Sequence, residues 1–436
     1  MISRLLKFAL PLLCLSASVL VTQIHLSKEE VLQPPSLAIP RTLFGLHIHR
    51  AATTTPWPKD DFGTWRLWDA YVAWPWLEPK QDEWHFETLD KYLALAEQNK
   101  VEVLLPLAFS PAWASARPNE PSAYEPGFAA EPRNLQIWRN YVRTVATRYK
   151  GRIHYYELWN EPNLQKFYSG TVEQMVALAR EAYLILKEVD PSITVVSPSA
   201  TGDRDSAWLE EYLRKGGGAY ADVIGYHFYV TPKPPEAMVT SIRKVQQIMA
   251  KHGVGDKPLW NTETGWMIAN SKGLVEPKVV GFPENMKVLT ADEAAGYVAR
   301  SFIIAWGAGL QRFYWYAWDN HVMGLTEVDG KTLKLPAKAY AEVQKWLVGA
   351  QMTACQSDKE NTWVCELKRD AYGSDSVLRG YLAWIVWNPD KSFSFNLPQT
   401  WGVQQARDLS GTKRSLPQVN QVEVSPSPLL LERLAQ

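Results

Sequence analysis

The sequence predicts a (β/α)8 barrel followed by a small β-sandwich, on three observations: eight short strand-like runs, helix-forming segments between them, and a change of pattern after residue 348. The runs are 44–49, 65–68, 101–107, 153–159, 193–197, 223–229, 258–262 and 313–318, built largely from β-branched, aromatic and other apolar residues. The segments between them carry helix-start signals. Thr171 with Gln174, and Thr290 with Glu293, have the spacing in which a threonine and a side chain three residues on satisfy each other's backbone N–H groups. Pro132 suits a first helical turn ahead of Trp138, Val142, Val145 and Tyr149 at helical spacing. Eight alternations of strand and helix close a parallel barrel (residues 41–348) whose chemistry sits on the loops after the strands.

The flanks read differently. Arg4 and Lys7 precede an uncharged stretch, 8–27, with Ser16-Ala17-Ser18 as a small-residue cleavage site. Residues 1–28 are therefore an export address, either a signal peptide or, since about 20 uncharged residues span a bilayer, a signal anchor in the inner membrane. Leu13 before Cys14 argues against lipoprotein processing. Residues 29–40, with Pro34, Pro35 and Pro40, read as a tether. After a last barrel helix around 338–347, the runs 363–367, 378–387, 392–397, 403–408 and 429–431 alternate between Gly, Pro and Asn signals, so 349–436 is expected to be the sandwich. In an exported, periplasmic chain Cys355 and Cys365 favour a disulfide across a short hairpin, with two neighbouring structural thiols as the alternative.

Composition narrows the function classes. The 46 basic and 46 acidic residues balance without long single-sign runs, which excludes the basic footprint a nucleic acid requires. The 20 Trp and 19 Tyr suit stacking on the apolar faces of sugars, although core packing accounts for many of them equally well. No phosphate loop or internal repeat is present, and no cofactor is expected.

Two glutamates stand where strand-like runs break into turns: Glu161 in Trp159-Asn160-Glu161-Pro162-Asn163, and Glu263 in Trp260-Asn261-Thr262-Glu263-Thr264-Gly265. Glycosidic cleavage needs one carboxylic acid to protonate the leaving oxygen and a second carboxylate on the other side of the oxocarbenium-like carbon. Alternation puts Glu157, Trp159 and Glu161 on one face of the fourth strand. At about 3.3 Å per residue Glu157 then lies some 13 Å deeper, a buried acid paired inside the barrel. A rival reading takes His47-Ile48-His49, with His227 as a third ligand, as an amidohydrolase-type metal site. It needs more histidines than the fifth run offers, so His49 is expected near the sugar cleft instead. A second rival is a non-catalytic glycan-binding member of an export complex.

The two glutamate motifs resemble the acid/base and nucleophile motifs of clan A retaining glycoside hydrolases. Ser110-Pro111-Ala112-Trp113, Tyr155-Tyr156-Glu157-Leu158-Trp159 and the aromatic eighth run make family 39 the closest member, and within it the chain resembles PslG-type endoglycosidases encoded with exopolysaccharide export machinery. The resemblance implies Glu161 as acid/base and Glu263 as nucleophile. It also implies Asn160 on the sugar 2-hydroxyl, His227 and Tyr229 as a sixth-strand pair whose tyrosine bonds the nucleophile, and Arg66 beside the nucleophile. Trp318 would lie under the reacting sugar and Trp113 near the substrate. Arg66 as a mere partner of Asp69 or Glu78, and Trp318 as a barrel plug, are the structural alternatives. The expected activity is that of a retaining, endo-acting hydrolase of an exported poly- or oligosaccharide, with export machinery as partner. The stretch 267–289 is long enough to wall a cleft.

Overall fold

The computed structural model describes residues 29–202, 206–271, 287–369, 381–416 and 420–433; the leader, 1–28, lies outside them. Eight parallel strands form the barrel: one, Phe44–Leu46; two, Thr64–Arg66; three, Glu102–Leu107; four, Tyr155–Leu158; five, Thr194–Val196; six, Ile224–His227; seven, Leu259–Thr264; eight, Arg312–Trp315. All eight fall within or beside the runs read from sequence. Strand eight pairs with strand one through Phe313 and Phe44, and strand five meets strand six through a Val196–Val223 bridge and Ser197 N–H donating to Val223 O at 2.9 Å. Strand five is broken. Beyond Pro198 the chain resumes as Ala200–Thr201, which pairs with strand six, so a ninth short strand joins the sheet.

Both capping boxes are formed, at the starts of helices Val172–Val189 and Ala291–Gly307. Helix Leu135–Arg148 starts later than Pro132 suggests. Asn134 caps it by accepting from Ile137 N–H at 3.1 Å, while Pro132 bridges back to Ser115. The base of the barrel is plugged by Leu104, Val196, Val223, Trp260 and Tyr314. The Arg312 guanidinium lies 4.2 Å from the Trp260 ring centre. This apolar floor leaves the upper interior for polar side chains.

The C-terminal part is two antiparallel layers. Its larger sheet runs in the order Glu30–Val31, Gln351–Ser357, Trp363–Arg369, Tyr381–Trp387, Leu429–Arg433, Gln405–Arg407, Lys413–Ser415, and the smaller pairs Phe393–Asn396 with Gln421–Val424. The inner face continues the barrel core through Met352, Trp363, Leu367 and Trp387; the outer face, with Trp384, Val386 and Leu431, meets Val422 and Val424. Helix Ala291–Gly307 is buried on nearly every side because the larger sheet covers it. Gly307 there approaches Leu32 and Cys355 so closely that an added Cβ would sit 2.9 Å from Leu32 Cδ1.

The segment 29–40 is not a free tether. Glu30 and Val31 add a strand beside Ser357 and Gln356, and Leu32 and Ile39 are buried, at 4% and 1% exposure. Its prolines keep the chain extended, but the apolar residues between them seat it in the groove between barrel and sandwich.

Cys355 and Cys365 face each other across adjacent strands and are joined. Mass spectrometry of alkylated, unreduced protein is expected to recover them as one linked peptide pair. Closing a loop of 10 residues corresponds to about 2–3 kcal/mol, so urea denaturation with reductant should show a loss of that order. Free thiols in oxidised, folded protein would contradict the pairing.

Candidate active site at the carboxyl end of the barrel

The site is organised by Arg66, at the end of strand two and fully buried. Its Nε donates to Glu157 at 2.6 Å, Nη1 to Glu263 at 2.8 Å and Nη2 to Asn160 Oδ1 at 2.6 Å, with His47 Nε2 3.1 Å from Nη1. The alternatives Asp69 and Glu78 are not its partners. Asp69 accepts from the hydroxyls of Tyr124 and Tyr316, and Glu78 accepts from Trp74 Nε1. A buried guanidinium with its donors engaged by carboxylates and an amide compensates its own desolvation.

Glu157 is the paired interior acid the sequence suggests: it also accepts from Ser199 Oγ at 2.5 Å, which in turn accepts from Thr262 Oγ1 at 2.9 Å. It is not 13 Å below the site, however, since one guanidinium touches both Glu157 and Glu263. The chain leaves strand geometry at Trp159 (φ 78) and Glu161 (φ 45), both in the left-handed region that costs a non-glycine residue on the order of 1–3 kcal/mol. That departure also ends the alternation. Trp159 turns outward, donating to Phe167 O and packing on Tyr168 and Trp138, while Asn160 turns in to Arg66.

Glu263 is aimed by a β-bulge. Strand eight pairs Phe313 with Asn261 and Trp315 with Thr264, so Thr262 and Glu263 together oppose Tyr314. Both can then address the interior, Thr262 through Ser199 and Glu263 through Arg66. Gly265 follows because an added Cβ would lie 2.1 Å from Tyr316 O.

The remaining partners divide the two carboxyl groups. Tyr229 donates its hydroxyl to Glu263 Oε1 at 2.9 Å, while His227 Nδ1 lies 3.0 Å from Glu161 Oε1. One oxygen of each glutamate and a His227 nitrogen lie within 4.8 Å of one another. Burial pushes both glutamates up to about 7, and burial lowers His227 to about 4, so that the imidazole is neutral near pH 7. The two carboxyls titrate as a pair. Of the two, Glu263 holds the charge, since a guanidinium and a phenol both donate to it. Glu161 keeps the proton. A protonated carboxyl beside an ionised one can give a proton on one side of a bond and attack from the other.

Other expected residues separate. His49 lies beside Asp319, its backbone N–H donating to Oδ1 at 2.8 Å, and borders a cavity of about 260 Å³ with Asp69, Trp68, Trp76, Tyr124 and Tyr316. Asp69 faces both glutamates closely enough for its charge to raise them. The strand-eight ring lining this cavity is Tyr316; Trp318 is 3% exposed, within the core. Trp113 lies elsewhere, its Nε1 donating to Glu78 O in a groove on the barrel flank. Asp69 and Tyr124 carry no sequence signal of their own, because their encounter depends on how two loops cross. The metal alternative loses its geometry: the acid and imidazole atoms that converge are Glu161, His227 and Glu263, whereas His47 is engaged by Trp315 O and Arg66. Asn160 Nδ2, His227 Nε2 and His49 Nε2 are buried without a protein partner among the described residues, and are free to meet a ligand.

Residues 73–258 match the family model for glycosyl hydrolases family 39, a span that includes Glu161, His227 and Tyr229 and stops before Glu263. This segment of the chain is similar to family 39 glycosyl hydrolases. The chain is 28% identical over 138 residues to a β-xylosidase of Caldicellulosiruptor saccharolyticus and 24% identical over 201 residues to one of Geobacillus stearothermophilus, matching 30% and 40% of this chain. It spans only 27% and 39% of those relatives' lengths. The fold is similar to that of a family 39 glycoside hydrolase from Bacteroides cellulosilyticus WH2, with a TM-score of 0.68 at 19% identity over 90% of this chain and 80% of that one.

Two outcomes follow from the electrostatics of this site. A carboxyl whose folded pKa is raised from the usual 4.5 to about 7 costs stability as pH climbs between those values, with the full cost present above 7. Glu161→Gln should therefore be more stable than the parent at pH 8, by about 1–3 kcal/mol, with the gap closing toward pH 4.5. Urea titrations at both pH values check this, and a gap that widens on acidification would refute it. Arg66→Met should cost about 3–5 kcal/mol at pH 7 by leaving Glu157 without its cation, and Glu157→Leu in the same chain should recover part of the loss.

Proposed function

We propose that the protein is a retaining glycoside hydrolase that works by double displacement, with Glu263 as nucleophile and Glu161 as acid/base. The observation that carries this reading is the convergence of two buried carboxyls whose oxygens lie within 4.8 Å, nearer the about 5–5.5 Å of retaining enzymes than the about 6.5–9.5 Å that leaves room for a water in inverting ones. In the first step Glu161 gives its proton to the glycosidic oxygen while a Glu263 oxygen bonds the anomeric carbon. The aglycone leaves as an alcohol. In the second, the Glu161 carboxylate takes a proton from water, whose oxygen attacks the same carbon and releases Glu263. Arg66 and Tyr229 keep Glu263 ionised; Asn160 Nδ2 is available to the sugar 2-hydroxyl. Aromatic walls and Asp69 make the adjoining cavity a receptor for the ring beside the bond.

The substrate class proposed is a polysaccharide or oligosaccharide, handled after export to the periplasm, with endo cleavage of an exopolysaccharide and association with its export machinery as the finer reading. The uncharged stretch 8–27 behind Arg4 and Lys7, the paired cysteines and the resemblance of the glutamate motifs support it. The named relatives being β-xylosidases makes xylose-containing chains the first to test. Incubating a panel of polysaccharides and sizing the products decides between internal and terminal cleavage.

A divalent ion is the competing occupant of Glu161, His227 and Glu263, but Arg66 Nη1, 2.8 Å from Glu263, already supplies positive charge there. Activity should persist in EDTA; loss restored by zinc or manganese would revive metal chemistry.

Proton NMR is expected to show the first-formed product with the anomeric configuration of the substrate, and kcat/KM should be bell-shaped around pH 7, where the pair holds one proton. Glu161→Ala should lose about 10²–10⁴-fold on polysaccharide yet still form the glycosyl-enzyme from an activated aryl glycoside, with azide speeding its breakdown to a product of retained configuration. Glu263→Ala should be inactive on both substrates. Identical responses of the two variants to leaving group and azide would overturn the assignment.

A further inference from the structure

A cavity of about 720 Å³ lies away from the glutamates. It runs down the barrel flank between the segment that follows strand two and helix Leu135–Arg148, and none of its lining residues bonds Arg66, Glu161 or Glu263. On the helix, Ile137, Asn140, Thr144 and Thr147 line it. Their three- and four-residue spacing makes one stripe, opposite the Trp138, Tyr141, Val142 and Val145 face that enters the core. From residue 137 to residue 147 that stripe extends roughly 15 Å at about 1.5 Å per residue.

Two half-buried rings stand across from this stripe, Trp84 and Trp113. Both are held. Trp113 donates to Glu78 O at 2.9 Å and packs edge-on against Trp74, while Trp84 is stacked on Phe86 with centroids 5.3 Å apart and planes 7° from parallel. Phe86 is itself braced by the Arg148 guanidinium, 4.4 Å from its centre.

The cations around the groove, and the Glu78 carboxylate, are satisfied within the protein. Arg143 is bidentate to Glu188 at 2.9 and 2.7 Å, Arg148 bonds Asp90 at 2.7 Å, and the Glu78 carboxylate takes Trp74 Nε1 and Asp82 N–H. What is left to a ligand is planar ring surface with the hydroxyls and amides of Gln81, Asn140, Thr144 and Thr147, and one exposed carboxylate, Asp82, able to accept from a sugar hydroxyl. Phosphate-bearing or strongly acidic ligands need free cations, which the ion pairs remove. An uncharged saccharide needs rings for its C–H faces and neutral groups for its hydroxyls.

We propose that this flank groove is a second, non-catalytic saccharide-binding site, which holds one stretch of a neutral polysaccharide while another occupies the barrel mouth. The proposal rests on the hydrolase reading for the identity of its ligand class. A rigid platform suits it, because stacking on pre-oriented rings loses little side-chain entropy on binding.

The test uses the full chain in native gels cast with soluble xylan, mixed-linkage β-glucan or galactomannan, beside a kinetic assay on an aryl β-xyloside and on the same polymers. Glu263→Ala, which removes cleavage during the run, should be retarded by at least one polymer that the parent depolymerises. Adding Thr144→Arg, a bulky charge on the groove-lining helix stripe, should weaken that retention at least fivefold, and Trp84→Ala should do likewise. In the active background both should raise KM on the polymer while leaving kcat/KM on the aryl xyloside within twofold, a readout that also reports correct folding. Retention unchanged by both substitutions, or depolymerisation with no retention in any gel, overturns the groove. Retention that Thr144→Arg removes, on polymers the parent never cuts, supports the groove and counts instead against the hydrolase reading.

Discussion

A single buried guanidinium joins strands one, two, four and seven. Arg66 contacts His47, Glu157, Asn160 and Glu263, so the proposed nucleophile and the residue preceding the proposed acid/base are both tied to a group that takes no proton and forms no bond in the proposed reaction. Its charge cannot be switched off at any pH the fold survives, which makes it a fixed reference for groups that do titrate. The apolar plug beneath it excludes water from below, and the sheet closing around it supplies the polar lining it requires. A lysine would keep the charge but not the fork that reaches three acceptors in different directions.

The asymmetry of the pair arises from neighbours rather than from depth. Both glutamates are buried to similar degrees, at 8% and 6% exposure, and desolvation alone raises both. The charge settles where Arg66 and Tyr229 converge, and the proton settles opposite a histidine that burial keeps neutral. Backbone geometry contributes to the same end. Left-handed φ values at Asp69, Phe109, Trp159 and Glu161 cluster at the carboxyl ends of strands two, three and four, where the packing of the barrel holds conformations that an isolated chain would leave.

The eight strand runs, the two capping boxes, the interior pairing of Glu157 and the convergence of Glu161 with Glu263 were legible because each depends on local pattern or on the order of strands around a ring. What was not legible depends on departures from pattern. The bulge that brings Glu263 inward beside Thr262 leaves no trace in composition, and the turn at Trp159 exchanges it with Asn160 against the two-residue period. Trp113 and Trp318 belong to aromatic runs that resemble a sugar site, but ring chemistry alone does not say which side of a strand tip a side chain takes; Tyr316 and Tyr124 take the places nearer Asp69. The segment 29–40 misled for a similar reason: its prolines are conspicuous, and Leu32 and Ile39, which seat it, are ordinary.

That seated segment has a consequence for the molecule in a crowded compartment. The larger sandwich sheet ends on one side in the two-residue strand Glu30–Val31 and on the other in Lys413–Ser415, short and carrying two adjacent cations. Neither rim offers a long, flat row of unpaired amides to a neighbouring chain, and Gln351–Ser357, which would, is covered in part by the N-terminal strand. Clipping the chain within 29–40 would uncover a seven-residue β-edge and favour strand-on-strand aggregation, so this segment acts as a guard against self-association as much as a brace for the fold.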